Sequence, residues 1–382
     1  MDNQFYKAVI TGVGLLSALG ETPADHLSIF SNISPAGLDT TSFSPYMVHQ
    51  LPDDIMWSKY IQQKRYMRQM SIWQKIGVYT AGIALADAGV LSNKNLLDNT
   101  DLFVAAGGGE RDVEADSKIL EACRSVNIIT EKQALLNKLL INELRPTLFL
   151  GQLANLLAGN IAMNYKLSSG SYTFMGEDNS GAVAIKQAIN AVKSGHSKIA
   201  LVGASYNANS EDALLNYSVG GVLEDKSWRP IKDRICSDKS LILGSGSAFL
   251  IIEEQEHAIA RNAQIYSTIG DMFLDMLDRK ADNFYTNINK LFIDNGIKQS
   301  DLIVSANSGY LNAANIEVKL LSGLNYVMPT EATGFLKEAQ FPFATAIAAL
   351  KASVDNINVS VSMVGMDSAE ALLNLHGAHD GY

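Results

Sequence analysis

Apolar positions along this chain fall into short unbroken runs and longer helical stripes, in alternation. Tyr6 to Val13 (YKAVITGV) is a run that reads as a buried strand, turning at Gly12 and Gly14. Ser71 to Ala88 carries Ile72, Ile76, Tyr79, Ile83 and Leu85 at helical spacing, with Gly89 as its stop. Asp101 to Ala106 is strand-like and runs into Gly107-Gly108-Gly109. A helical region follows from Asp112 to Leu140, and another from Leu150 to Met163. Tyr172 to Met175 reads as a short strand, Ser180 to Ser194 as a strongly apolar helix, and Ile199 to Gly203 and Gly246 to Glu253 as buried strands.

The second half repeats the rhythm more compactly. Strands are expected at Ile265 to Ile269, Leu302 to Ala306 and Val359 to Gly365, with helices at Asn283 to Asn295 and Phe341 to Ala352. Strands alternating with helices predict α/β layers. The same element order in both halves suggests a duplicated fold, split into 1–248 and 249–382.

Composition narrows the function classes. With 382 residues, 47% hydrophobic and 18% charged, the chain can bury a large core. Its net charge of −10 repels phosphate backbones and anionic lipid, which argues against nucleic-acid and membrane-surface binding. The apolar stretch Ala8 to Gly20 follows Asp2 and a single Lys7 and is too short to span a bilayer, so it reads as core and not as a signal segment. Two cysteines in unrelated contexts, Cys123 and Cys236, suit a reducing cytoplasm and argue against a disulfide framework or a cysteine-based metal site. Six scattered histidines show no metal-ligand spacing, and Gly107-Gly108-Gly109 lacks the sequel of a phosphate loop. No metal or cofactor is expected.

Four stretches taken in order resemble the β-ketoacyl synthase family of the thiolase superfamily. They are VITGVGLLSALG, then FLGQLANLLAGNIAMNYKLSSGSYTF (Phe149 to Phe174), then SGAVAIKQAINAVKSGHSKIALVGAS (Ser180 to Ser205), and finally WRPIKDR with LILGSGSAFLIIEEQEHAIARNAQIYSTIG. The resemblance weakens after Ala306. It implies a thiolase-like five-layered αβαβα fold of two similar halves, the first carrying dimerisation insertions.

Active members of that family use a cysteine at the N-terminus of a buried helix, where dipole and backbone N–H groups depress the thiol pKa, together with two histidines. Alignment on Ser180-Gly181-Ala182 puts Asp178 at the nucleophile position. The first histidine motif reads Ala306-Asn307-Ser308-Gly309, with Asn307 in place of histidine, and the second reads Thr333-Gly334-Phe335, with Phe335 there. The closing glycine loop is altered to Met363-Val364-Gly365-Met366, and Ser245 stands where an acidic residue is usual. With Glu177 and Asn179, Asp178 is expected to cap the helix. Asn307 is expected as a hydrogen-bonded relic, and Phe335 as filler of the space an imidazole would take.

The resemblance therefore implies a chain-length factor that is not itself an enzyme. Such a subunit forms a heterodimer with an active ketosynthase, which receives the acyl carrier protein, in polyketide, aryl polyene or fatty-acid synthesis. Strands such as Tyr172 to Met175, bearing Tyr172 and Phe174, would pair across the two-fold axis, and Gly108, Thr147, Leu148 and Phe149 would approach the acyl tunnel. Two alternatives stay open: a decarboxylase or hydrolase using Asp178, and a homodimeric acyl-binding protein.

Overall fold

The computed structural model describes residues 6–143 and 150–377. Ten strands join in one mixed sheet. From edge to edge they run Tyr326–Val327, Leu302–Ser305, Val359–Val364, Glu370–Gly377, Ser267–Asp275, Ala8–Ser17, Gly246–Glu254, Ile199–Tyr206, Thr100–Ala106 and Ser171–Met175. Outward from Ala8–Ser17, successive pairings are antiparallel, antiparallel, parallel and parallel. Outward from Ser267–Asp275 the other five strands repeat that series. The halves meet where Ala8, Val9 and Ile10 pair antiparallel with Ile269, Thr268 and Ser267.

Two helices, Asn179–Lys193 and Gln340–Asp355, pack on each other and on strands of both halves. They form the middle layer of the largest apolar cluster, with Ile185, Ile189, Phe341 and Ile347 among its fully or almost fully buried members. Helices Ile72–Asp87 and Asn155–Tyr165 cover the outer face of the first half, while Phe284–Asp294 and Leu311–Leu320 cover the second. Helix, half-sheet, paired helices, half-sheet and helix give the five layers, the arrangement of thiolase-like ketosynthases. Strands enclosed on both faces are continuous apolar runs, as the sequence shows.

Several expectations shift. Gly12 and Gly14 lie inside Ala8–Ser17 and make no turn. A Cβ on Gly14 would sit 2.3 Å from the Thr80 carbonyl oxygen, and one on Gly12 would sit 2.6 Å from that of Ala84. Their missing side chains let helix Ile72–Asp87 lie directly on the strand. The region expected as one helix from Asp112 divides into Val113–Arg124 and Ile129–Glu143. Val359–Val364 does not end the sheet; Glu370–Gly377 returns beside it. Gly246–Glu254 pairs antiparallel with both Ala8–Ser17 and Ile199–Tyr206.

Gly14→Ala should cost about 1–3 kcal/mol by overpacking the strand against the helix. A lower midpoint in urea unfolding would record it; an unchanged midpoint would mean the helix yields freely.

Candidate functional site

Strands Thr100–Ala106 and Ile199–Tyr206 are parallel neighbours, and their C-terminal ends open onto a cavity of about 280 Å³. Gly107, Gly108 and Gly109 form one wall, Tyr206 and Tyr217 another, and Glu177, Lys337 and Glu338 close the inner end. Crevices beyond the carboxyl ends of parallel strands are where α/β folds place ligands.

Asp178 stands at the head of helix Asn179–Lys193 and is 3% exposed. The expectation that it caps the helix is corrected: its backbone is already helical and its side chain makes no capping bond. Its Oδ2 instead accepts a hydrogen bond from the Met366 N–H at 2.6 Å. Asn179 Nδ2 donates to Ser368 Oγ at 3.1 Å, and Arg279 donates to the Met366 carbonyl while pairing with Glu370 at 2.7 Å. The head of the central helix thus clasps the loop joining the last two strands. Burial pushes the Asp178 carboxyl up to about 7, the Met366 N–H opposing and Asp367 and Glu177 adding to the rise.

Of the other expected positions, Asn307, Phe335 and Ser245 are not among the residues lining the cavity. Asn307 is fully buried beyond Leu302–Ser305, with Oδ1 accepting from the Gly309 N–H at 2.8 Å. Phe335 is 1% exposed and packs with Val48, Leu223, Leu241 and Leu243. Ser245 accepts from the Ala208 N–H at 2.9 Å and donates to Asn207 at 3.2 Å. Gly108 does line the cavity, and a Cβ built on it meets nothing within 4 Å. Tyr172 and Phe174 lie on the edge strand and stack on Phe103 at 5.0 and 6.4 Å. Thr147, Leu148 and Phe149 fall outside the described residues. Cys123 is buried in helix Val113–Arg124 and Cys236 is exposed, both as free thiols away from the head of the central helix.

Sequence reasoning passed over Lys337 and Glu338. Lys337 Nζ lies 3.2 Å from Glu338 Oε1 and 3.4 Å from Glu177 Oε2. Glu338 is 2% exposed, and burial lifts its carboxyl to about 7, with Lys337 pulling it back. Burial opposes the Lys337 charge, yet Glu338 and Glu177 hold its ammonium above the ordinary lysine range. The signal was a charged pair immediately before the apolar stretch Phe341 to Leu350. The short turn Lys337–Ala339 leads directly into Gln340–Asp355, whose buried first turns carry the charged pair toward the interior.

Residues 53–258, more than half of the chain, match the family described as Beta-ketoacyl synthase, N-terminal domain. The chain belongs to the beta-ketoacyl synthase family. The 3-oxoacyl-[acyl-carrier-protein] synthase 2 of Vibrio cholerae is 24% identical to it over 271 residues, 69% of this chain and 61% of that protein. The chain therefore spans about three fifths of that relative's length. Among solved structures, the ishigamide ketosynthase/chain length factor superposes with a TM-score of 0.77 at 18% identity, covering 98% of this chain and 99% of that one. A type II polyketide synthase acyl-carrier protein in complex with its ketosynthase gives 0.76 at 18%, with the same coverage. At that identity the likeness establishes the fold.

The expectation that the chain is no enzyme is overturned. The relatives it matches are named 3-oxoacyl-[acyl-carrier-protein] synthases, which are enzymes, and altered residues at three motif positions do not establish inactivity. Among the described residues, no helix is long and apolar enough to cross a membrane, and no group of three or more ligating side chains could hold a metal ion.

Asp178 and Glu338 bind protons in the fold that they release on unfolding. Their contribution to stability is full below the ordinary carboxylate range and lost as pH rises through about 7. His26 and His49, buried and lowered from 6.5 to about 4, work oppositely between those values. Tm should therefore fall by several degrees between pH 6.5 and 8, and the combined variant Asp178→Asn with Glu338→Gln should flatten the slope. Thermal melts across that range are the check; a level wild-type curve would contradict it.

Proposed function

We propose that this chain works in acyl-chain building as the chain-length-factor-type subunit of a ketosynthase pair, shaping the acyl tunnel while its partner supplies the thiol that carries the growing chain. The observation that carries this reading is Asp178 at the head of the central helix, held by the Met366 N–H. A carboxylate is a poor acceptor for a thioester, because the mixed anhydride lies uphill, which favours a thiol on the partner as carrier of the growing chain.

The surface supports a partner. Among the described residues, edge strand Ser171–Met175 is paired on one side only, with Tyr172 41% and Met175 74% exposed, and Met163 lies 53% exposed on the helix that packs against this strand. Leu120, Ile129 and Ile141 of the two helices that follow Gly109 are also well exposed. Strand-to-strand continuation across a two-fold axis would cover the edge. With its net charge of −10 the chain offers an acidic carrier protein a poor docking field, which favours docking on the partner. The decarboxylase or hydrolase reading built on Asp178 loses support, since Asp178 is turned to the loop and is not among the residues lining the cavity.

Co-expression with a ketosynthase from the same genome should yield a stable one-to-one complex. A homodimer that ignores the ketosynthase would instead favour acyl binding by this chain alone. Within the complex, Gly108→Trp should shorten the products, because open space faces that position. Unchanged product length by mass spectrometry would reject Gly108 as a gate.

A further inference from the structure

The inner end of the cavity carries acid–base groups that the reading above leaves unused. Among the described residues lining it, Lys337 is the one cation, set against Glu110, Glu177, Asp212, Glu338 and Asp367. Most of these carboxylates are already engaged or open to water. Glu110 accepts from the Ile72 and Trp73 N–H groups and from Asn207, which fixes the start of helix Ile72–Asp87. Asp212 accepts from the Arg111 N–H, and the Glu177 side chain is 57% exposed. Glu338 alone combines near-complete burial with a place in the wall beside an ammonium.

The fold makes specific allowances for this pair. Lys337 is a non-glycine residue at φ +47°, in the left-handed region, where strain is kept when the surroundings dictate it. Gly107 clears the space for the carboxyl: a Cβ there would fall 1.9 Å from Glu338 Oε1. Among the described residues no histidine or cysteine lines the cavity, and burial keeps the Tyr206 and Tyr217 phenols protonated as neutral donors. Proton removal therefore rests with Glu338.

We infer that Lys337 and Glu338 form a proton-transfer site for a neutral, enolisable carbonyl compound, the 3-oxoacyl thioester class, taking a proton from the carbon between its two carbonyls. This rests on the acyl-chain reading of the cavity. An α-proton and its carbonyl oxygen belong to adjacent carbons, so base and electrophile must lie side by side, as Glu338 and Lys337 do at 3.2 Å. The α C–H bond breaks and its proton passes to a Glu338 carboxylate oxygen. The electron pair moves into the enolate, whose oxygen gains charge beside the Lys337 ammonium. The reverse step returns a proton that has exchanged with solvent, so nothing is oxidised and no co-reactant is consumed. Five carboxylates against one lysine repel a substrate that carries its own carboxylate and admit a neutral one.

The groups facing Glu338 are Lys337 beside it, Glu177 at the head of the central helix, Tyr206 at its strand end and Tyr217 on helix Glu211–Val219. Glu338 must be ionised to act, so the rate should climb as pH passes about 7 and then level.

The probe is the N-acetylcysteamine thioester of 2-methyl-3-oxobutanoic acid, which has a single proton on the carbon between its two carbonyls, incubated in deuterium oxide with the full chain. Proton NMR should show exchange well above the buffer rate, by roughly a hundredfold on the scale of general acid–base catalysis. Glu338→Gln should return it to the buffer rate, and Lys337→Met should lower it strongly, with near-UV circular dichroism verifying the fold. Should the variants not fold, the wild-type pH–rate profile decides, and a rate that tracks buffer across pH 6–8 overturns the inference. Saturation-transfer NMR separates the two readings. A probe that binds but exchanges at the buffer rate overturns this inference alone, whereas one that binds neither the chain nor its ketosynthase complex overturns the acyl-chain reading as well.

Discussion

Two helices lie at the centre of this molecule with half-sheets on both sides, and the rest of the architecture follows from enclosing them. Gln340–Asp355 is buried along its first eleven residues, whichever way they point. Asn179–Lys193 buries one side in the same cluster and exposes Gln187 and Asn190 on the other, while Lys186 and Lys193 reach the carbonyls of Met272 and Gly270. A helix without a wet face needs apolar partners in every direction. The ten-stranded sheet supplies them by joining its halves at Ala8 to Ile10 and presenting both to the same pair of helices.

That enclosure also determines the electrostatics. The residues opening each helix are carried into the interior, and both openings contain carboxyls. Asp178 and Glu338 are each pushed to about 7 by loss of water, so they share a cause. Their partners differ. Asp178 meets a backbone N–H and fastens the loop between the last strands, whereas Glu338 meets an ammonium and faces open space. One has become part of the framework, and the other borders a cavity where a substrate could reach it. Family membership therefore coexists with a constellation that the family resemblance does not describe.

Much of the fold was legible because enclosed strands and amphipathic helices leave strong local patterns. The runs at Ile199 and Gly246 and the stripe from Ser71 were recognisable, though Ile199–Tyr206 extends past its expected end. Other features escaped for identifiable reasons. Gly12 and Gly14 look like turn residues until helix Ile72–Asp87 is laid on them. The return strand Glu370–Gly377 was missed because its apolar run, Ala371-Leu372-Leu373, is short and broken by Asn374. Asp178 resembled a cap because local sequence cannot reveal the Met366 N–H, 188 residues away.

By itself the sequence determined the α/β alternation, the family, and the identities at positions 178, 307 and 335, since these depend on local periodicity and residue type. Only the tertiary structure decided what those residues touch, and that Lys337 and Glu338 share a cavity with Gly107. Burial and proximity are properties of contacts between segments far apart in the chain. A charged pair in sequence carries no sign of whether it will meet water or the interior.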